Sequence, residues 1–199
     1  MNWKGIVGKV FSPDDFIAYC DEVTMDRGFH PRFVALHNTG VPTLAQWKRH
    51  AMADHLRALQ HFYRDMQHWS AGPHLFVDHQ HIGVFTPLDR PGVHSPSWNA
   101  IAWGVEMAGD YATEAFDADV KRNAVVALAA LCRLGHLDPR GIRLHKEDPR
   151  TTHNCPGKHV VKADIIAAVI AEVERQEAPC GEHSPAQALP DTSALVAAK

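Results

Sequence analysis

The sequence predicts a single α/β domain with a central mixed β-sheet flanked by helices. Short apolar runs of strand length alternate with longer segments whose apolar residues recur at helical spacing. The length of 199 residues, of which 45% are hydrophobic and 22% charged, suits one globular domain with a substantial core. We expect this domain to span residues 1–176, with its core at about 33–173, followed by a flexible tail at 177–199.

The first predicted elements are a helix and a buried strand. Ser12 is a suitable N-cap and Pro13 suits the first helical turn, so a helix is expected over residues 13–25. The apolar run at residues 33–37 then predicts a strand that ends at His37. Strand ends are positions where a sheet scaffold presents functional side chains.

A long helix and a hairpin are predicted next. From Thr43, apolar residues recur at helical spacing until the Gly72-Pro73 turn, which predicts one helix lying on the sheet. Residues 74–77 and 83–85 are two short apolar strands that can pair as a hairpin. Because a hairpin pairs antiparallel, it makes the predicted sheet a mixed one.

The second half of the chain predicts a loop, two strands and two helices. Residues 89–99 carry too much proline, glycine and serine for regular structure, whereas residues 100–107 read as a buried strand. Helices are predicted at about 115–135 and 158–174, on either side of a last strand at 141–145 that ends in a histidine. The last helix is amphipathic, so we expect it to close the domain.

Charge and composition exclude several classes of partner. The net charge of −3 and the pI of about 6.6 give no field that favours nucleic acid or an anionic membrane. The N-terminus has no cationic segment leading into a long apolar run, and no stretch reaches membrane-spanning length. We therefore expect a monomeric chain that is made in the cytoplasm without a Sec signal peptide and does not insert stably into membranes.

The most informative segment is LHKEDPRTTHNCPGKH at residues 144–159, which brings together His145, His153 and Cys155. Imidazole nitrogen and thiolate sulfur are donors that Zn²⁺ prefers, and a catalytic zinc site uses three protein ligands and leaves one position to water. A distant histidine could complete such a set, and His37 offers one. The sequence therefore predicts a zinc site at strand ends.

Glu106 interrupts the apolar strand predicted at residues 100–107. A carboxylate in a buried strand is costly unless it is paired or faces a site. Desolvation raises the pKa of such a group toward the range of a general base, which hydrolysis at a zinc site requires. The structural alternative is a salt bridge to an arginine or a strand end that reaches solvent.

Four motifs occur in an order that resembles a known family. They are strand-His-Asn at 36–38, His94 ahead of Asn99, GVEMAGDY at 104–111, and His145 followed by HNCPG at 153–157. In this order they resemble the zinc-dependent N-acetylmuramoyl-L-alanine amidases of type 2. That family includes phage endolysins and shares its fold with peptidoglycan-recognition proteins. The resemblance runs from about residue 33 to residue 173.

The resemblance implies a ligand set and two catalytic residues. His37, His145 and Cys155 would hold Zn²⁺, and Glu106 would be the general base. The family usually has a lysine two positions before the last ligand, where it stabilises the oxyanion, and this chain has His153 there. Alternatively, His153 could be a fourth ligand, which would close the site and make it structural.

The resemblance also implies a set of substrate contacts. Asn38 follows the first ligand, and His74 stands in the region where some members have a catalytic tyrosine. The loop that carries His94, Trp98 and Asn99 could line the substrate groove. Trp98 is equally consistent with a place in the core.

The implied activity is hydrolysis of the amide bond between N-acetylmuramic acid and L-alanine in peptidoglycan, by an enzyme that acts on the cell wall after release, like an endolysin. A cytosolic amidase that recycles anhydro-muropeptides would use the same residues. A non-catalytic peptidoglycan-binding module and a Cys-His peptidase are the more distant alternatives. Against the peptidase, Cys155 precedes a Pro-Gly turn rather than opening a helix, so the usual dipole activation of a thiolate is missing.

Overall fold

The computed structural model describes residues 5–25 and 28–178 and confirms the predicted α/β fold class. Its six strands are β1 (Lys9–Phe11), β2 (Phe33–Asn38), β3 (Leu75–Val77), β4 (Ile82–Val84), β5 (Ala102–Met107) and β6 (Arg143–Leu144). Its α-helices are α1 (Pro13–Glu22), α2 (Leu44–Trp47), α3 (Met52–His61), α4 (Ala118–Gly135) and α5 (Lys162–Glu177). None of the helices in these residues has the length and apolar character needed to cross a bilayer.

The strands form one mixed sheet in the order β1-β4-β3-β5-β2-β6. The first three strands in this order pair antiparallel, whereas β3, β5, β2 and β6 run parallel to one another. Parallel strands end at the same side of a sheet, and ligands of open α/β sheets bind outside those carboxyl ends. The fold thus brings the ends of β2, β5 and β6 to one place.

Helix α4 is the centre of the helical layer. It packs on β2, β3 and β5 and is flanked by α1 and α5. The side chain of Asp117 caps its N-terminus by accepting hydrogen bonds from the backbone N–H groups of Asp119 and Val120. The side chains from Ala124 to Cys132 along this helix are all buried, so α4 supplies much of the core beneath the sheet.

The single long helix predicted from Thr43 is wrong, because the chain turns after α2. The indole of Trp47 is buried and donates a hydrogen bond to Asp78 Oδ2 at 2.9 Å. The ring of His55 stacks on that indole, and its Nε2 donates to the Trp47 carbonyl oxygen at 2.9 Å. The hydrogen bond from His55 satisfies a carbonyl group at the end of α2, and the contacts of Trp47 direct the chain into a second helix, α3.

Helix α3 continues into a π-helical turn at Phe62–Met66. A π-helical turn holds an extra residue, so it rotates the side chains that follow it relative to a regular helix. Consequently Phe62 and Met66, which the regular pattern places on the buried face, are 45% and 64% exposed. Tyr63 packs against the core instead.

The remaining differences from the sequence prediction lie at element boundaries. Strand β1 was not predicted, because it has only three residues at the edge of the sheet and none of them is fully buried. The strand predicted at 141–145 is reduced to Arg143–Leu144, and His145 begins a 3₁₀ turn. Helix α5 begins and ends later than predicted and reaches Glu177. Of the predicted tail, residues 179–199 lie outside the described residues.

Candidate active site

Three predicted ligands meet where the parallel strands end. His37 belongs to β2, His145 follows β6 directly, and Cys155 lies in the loop that leads to α5. One ligand atom from each of these residues can be chosen such that all three lie within 4.8 Å of one another. The structure therefore brings together the trio that the sequence singled out.

Cys155 is held against β2 by the backbone. Its Sγ accepts a hydrogen bond from the backbone N–H of Asn38 at 3.2 Å, and its carbonyl oxygen accepts one from Lys146 at 2.8 Å. The turn after it requires glycine, because Gly157 has a φ of +100° and an added Cβ would lie 2.2 Å from the Tyr111 carbonyl carbon. Gly157 thus allows the loop to pack closely against the backbone of Tyr111, which positions the Cys155 thiol.

The donor chemistry of the trio fits a zinc ion. Two imidazoles and a thiol form a donor set that zinc prefers. In the described part of the chain, Nε2 of His145 is buried with no hydrogen-bond partner. Burial and then the neighbouring histidines lower the pKa of His37 and of His145, so both rings keep a lone pair for coordination at neutral pH. The residues present therefore fit the ion that the family resemblance implies.

Glu106 stands beside this trio on β5, as the register partner of His37 on β2. Burial raises the pKa of Glu106 to about 8. Burial, and then the charge of Glu106, also raises the pKa of the Cys155 thiol. Without a cation, the site therefore disfavours the negatively charged forms of Glu106 and Cys155. A bound cation would lower the pKa of both groups.

His153 lies next to the trio but outside it. Its ring stacks on that of His145, with the two centroids 5.9 Å apart, and its side chain is exposed. The group of ligand atoms within 4.8 Å of one another comprises His37, His145 and Cys155 without His153. His153 therefore lies at the rim of the trio, beside His145.

A cavity of about 200 Å³ covers the trio, Glu106 and Asn38. A second cavity of about 410 Å³ opens beside it and shares His94, His145 and His153 as a common wall. Asn99 lines only the second cavity. Of the predicted substrate contacts, the structure thus places three, Asn38, His94 and Asn99, on cavity surfaces.

The other two predicted substrate contacts, His74 and Trp98, are corrected by the structure. His74 is fully buried, where its Nε2 donates to the Arg90 carbonyl oxygen and its Nδ1 accepts from the Gly104 N–H. Trp98 is 3% exposed and packs edge to face on Phe33, so it belongs to the core. Neither side chain reaches either cavity that adjoins the trio.

Two aromatic residues and an arginine are among the residues on these surfaces that were not predicted from the sequence. Tyr63 and Trp69 line the smaller cavity, with their rings stacked at a centroid distance of 4.9 Å. Tyr63 also lies close enough to Glu106 that the carboxylate charge adds to burial in raising the tyrosine pKa. Arg150 lines the larger cavity. Arg150 could have been predicted, because it lies in the sequence between the candidate ligands His145 and Cys155. Nothing in a regular helical pattern indicates Tyr63.

His94 is enclosed between the two cavities. Burial lowers its pKa to about 4, so the ring is neutral at physiological pH. Its backbone N–H and that of Ser95 both donate to Asn99 Oδ1 at 2.8 Å, which fixes the start of the loop. The side chain of His94 faces His37 rather than open solvent.

Comparison with known proteins agrees with this geometry. The family model described as N-acetylmuramoyl-L-alanine amidase matches residues 27–158. No curated protein matches the sequence. Among solved structures, the endolysin N-acetylmuramoyl-L-alanine amidase LysCS from Clostridium intestinale URNW is 20% identical, with a TM-score of 0.59 over 71% of this chain and 85% of that chain.

Two further structures extend the likeness in fold. The Ph2119 endolysin from a Thermus scotoductus bacteriophage is 20% identical, with a TM-score of 0.56 over 72% of this chain and 87% of that chain. Drosophila PGRP-LB is 21% identical, with a TM-score of 0.56 over 68% and 79% of the two chains. At these identities the structures show the fold, whereas the family model covers more than half of the sequence. The chain belongs to the N-acetylmuramoyl-L-alanine amidase family.

Proposed function

We propose that this protein is a zinc-dependent hydrolase that cleaves the amide bond between N-acetylmuramic acid and L-alanine in peptidoglycan. One observation carries the proposal. The ligand atoms of His37, His145 and Cys155 gather within 4.8 Å of one another, beside a carboxyl group whose pKa burial raises to about 8. Three ligands leave an open coordination position, and a half-buried carboxyl group next to it suits a general base.

His37, His145 and Cys155 would hold Zn²⁺, which when bound supplies the Lewis acidity that activates water at neutral pH and polarises the amide carbonyl. Glu106 accepts the proton of the attacking water and delivers it to the leaving amine of L-alanine. His153, at the rim beside His145, donates a hydrogen bond to the oxygen that becomes negatively charged.

The larger cavity provides the surface for the rest of the substrate. Its wall carries the exposed Arg150, whose guanidinium suits the carboxylates of a stem peptide, and Asn99, Thr151 and Thr152 add polar groups. Peptidoglycan recognition protein-LE, which is 16% identical with a TM-score of 0.53, was solved with a monomeric diaminopimelic acid-type peptidoglycan. A peptidoglycan or muropeptide substrate for this chain is in keeping with that complex.

We propose an endolysin-like role, in which the enzyme is made in the cytoplasm and acts on the cell wall after release. The two adjoining cavities share His94, His145 and His153, so the metal centre opens onto a wider groove rather than a closed chamber. Such a groove suits a polymer. Soluble anhydro-muropeptides are the alternative substrate, which a recycling amidase would take.

The Cys-His peptidase is disfavoured by the surroundings of Cys155. Burial and the neighbouring carboxylate raise the pKa of its thiol, whereas a nucleophilic cysteine needs a lowered pKa. The two chemistries respond differently to inhibitors. EDTA should stop a zinc amidase, whereas iodoacetamide should stop a thiol peptidase whether or not metal is present.

The experiment is digestion of purified sacculi, followed by mass spectrometry of the soluble products. We expect stem peptides with a free L-alanine amino terminus, glycan strands with intact lactyl groups, and complete loss of these products in EDTA with recovery on adding zinc. Cleavage of glycosidic or peptide bonds instead would contradict the proposed reaction. A parallel reaction with anhydro-muropeptides separates the roles, since turnover of these alone would replace the lytic role with recycling.

A further inference from the structure

The rings of His37 and His94 meet edge to face inside the site. Nε2 of His37 lies 3.2 Å from Nδ1 of His94, and the ring planes cross at 86°. Nε2 of His94 in turn lies 3.2 Å from the carbonyl oxygen of Ala102 in β5. Two hydrogen bonds in series therefore connect a strand carbonyl to the first candidate zinc ligand.

The Ala102 carbonyl oxygen can only accept a hydrogen bond, and this determines which ring nitrogens of His94 and His37 carry protons. The Ala102 carbonyl has no proton to give, so Nε2 of His94 carries one. If Nδ1 of His94 were protonated as well, Nε2 of His37 would have to accept, and the proton of the neutral His37 ring would then sit on Nδ1. That ring would have no lone pair left for a metal. Metal binding through Nδ1 of His37 therefore requires that His37 donate from Nε2 to a lone pair on Nδ1 of His94.

We propose that His94 is a positioning residue of the metal centre, which holds His37 in the tautomer that presents Nδ1 to the ion. The inference rests on the proposed zinc-dependent function and replaces the substrate contact that the sequence predicted for His94. Metal-ligating histidines generally donate their second N–H to a fixed acceptor, which sets the tautomer and the ring orientation. Here the acceptor is a second imidazole, anchored by a backbone carbonyl.

The fold fixes His94 independently of any ion. Gly104 lies two residues after Ala102 on β5, and a Cβ added there would lie 2.4 Å from Cγ of His94. The ring therefore lies directly on the backbone of the strand, where any larger residue would displace it. On the other side, the bond between the His94 N–H and Asn99 Oδ1 holds the main chain of the loop. The ring is thus fixed before a metal binds.

The test is the zinc dissociation constant of purified protein, measured by competition with a chromogenic chelator. His94→Leu keeps an apolar side chain of similar size but removes the acceptor, and we expect affinity to fall by about 10–100-fold. His94→Asn can place its Oδ1 near the position of Nδ1, so it should retain most of the affinity. His50→Leu replaces an exposed histidine between α2 and α3 and serves as the matched control.

A second readout follows the proton itself. Nitrogen-15 NMR of the histidine side chains should show Nε2 of His37 protonated in the wild type, with or without zinc. Predominant protonation of Nδ1 in the metal-free protein would overturn the inference. Thermal unfolding of each variant checks that it is folded before its zinc affinity is compared.

The outcomes separate this inference from the proposed function. If the wild type binds zinc and His94→Leu binds it equally well, the positioning role is overturned and the zinc enzyme stands. If the wild type binds no zinc, the proposed function fails, and the NMR measurement still decides the tautomer. Gly104→Ala adds an independent check, because it should weaken zinc binding by displacing His94 without changing any polar group.

Discussion

His37 and Glu106 are register partners on the adjacent parallel strands β2 and β5. Paired residues on neighbouring strands lie about 5 Å apart and point to the same face of the sheet. The sheet hydrogen bonds therefore set the distance between a candidate zinc ligand and a candidate general base. A site built on strands in this way is held more precisely than one built on loops.

The first prediction concerns Glu106 as the general base. Glu106→Gln keeps the shape of the side chain and removes its basic charge, so kcat should fall by about 10²–10⁴-fold while zinc content is unchanged. The measurement pairs initial rates on sacculi with metal analysis. Glu174→Gln, on the exposed side of α5, is the control. Nearly unchanged turnover would make Glu106 a structural carboxyl group.

The second prediction is a pH-dependent stability effect of the same substitution in metal-free protein. Below about pH 4 the carboxyl group is protonated in the folded and the unfolded chain, so the two proteins should unfold alike. Between about pH 4 and pH 8 the unfolded chain ionises while folded Glu106 keeps its proton, because burial raises its pKa to about 8. The free energy of unfolding of the wild type therefore decreases between about pH 4 and pH 8, whereas Glu106→Gln has no such loss.

Glu106→Gln should therefore unfold at a higher temperature than the wild type at pH 8, by at least about 2–4 °C. Calorimetry in EDTA at pH 4, 6 and 8 measures the difference. A difference that does not grow with pH would show that Glu106 is not desolvated in the folded state. A higher unfolding temperature of Glu106→Gln would also show that Glu106 destabilises the metal-free wild-type protein at this pH.

Local spacing in the sequence identified two of the three candidate ligands, because His145 and Cys155 lie within one short segment. Glu106 could be predicted because a charge interrupts an apolar strand. The contact between His37 and His94 could not, because it joins residues 57 positions apart through a loop without regular structure.

Tyr63 shows a different limit of the sequence. The regular helical pattern places Phe62 and Met66 inward, but the π-helical turn at Phe62–Met66 rotates Tyr63 into the site. A π-helical turn inserts one residue without a distinctive composition, so periodicity alone cannot reveal it. The break between α2 and α3 likewise depends on contacts of Trp47 with distant residues.

The third prediction distinguishes two roles for His153. A lysine ammonium stays charged to about pH 10 but cannot coordinate a metal while protonated. If His153 contacts the oxyanion, His153→Lys should retain zinc during dialysis against a weak chelator and should keep its activity to higher pH than the wild type. Loss of zinc from this variant would mean that His153 is a fourth ligand.

The fourth prediction concerns Asp148, which joins the two loops that line the larger cavity. Its carboxylate accepts hydrogen bonds from Ser95 Oγ and from the backbone N–H groups of Ser97 and Arg150. Although burial alone would raise the pKa of Asp148, these bonds lower it below its usual range. Asp148→Asn weakens them and should cost about 1–3 kcal/mol of stability at pH 7.

The sign of the pH dependence follows from the lowered pKa. The contribution of Asp148 is fully present above about pH 4 and is lost as the pH falls below that value. The gap in unfolding temperature between the wild type and Asp148→Asn should therefore narrow in acid. Asp164→Asn, at an exposed position in the first turn of α5, should change little. A constant gap across pH would contradict the role given to the ionised form.

The most direct test of the zinc centre is the metal content of purified protein and of Cys155→Ser, measured by inductively coupled plasma mass spectrometry. Cys132→Ala, which alters a buried cysteine of α4 away from the site, is the control for loss of a thiol. We predict one zinc ion per chain in the wild type and the control, and loss of stoichiometric zinc from Cys155→Ser. A wild type without zinc after reconstitution, or full zinc retention by Cys155→Ser, would contradict the ligand set of His37, His145 and Cys155.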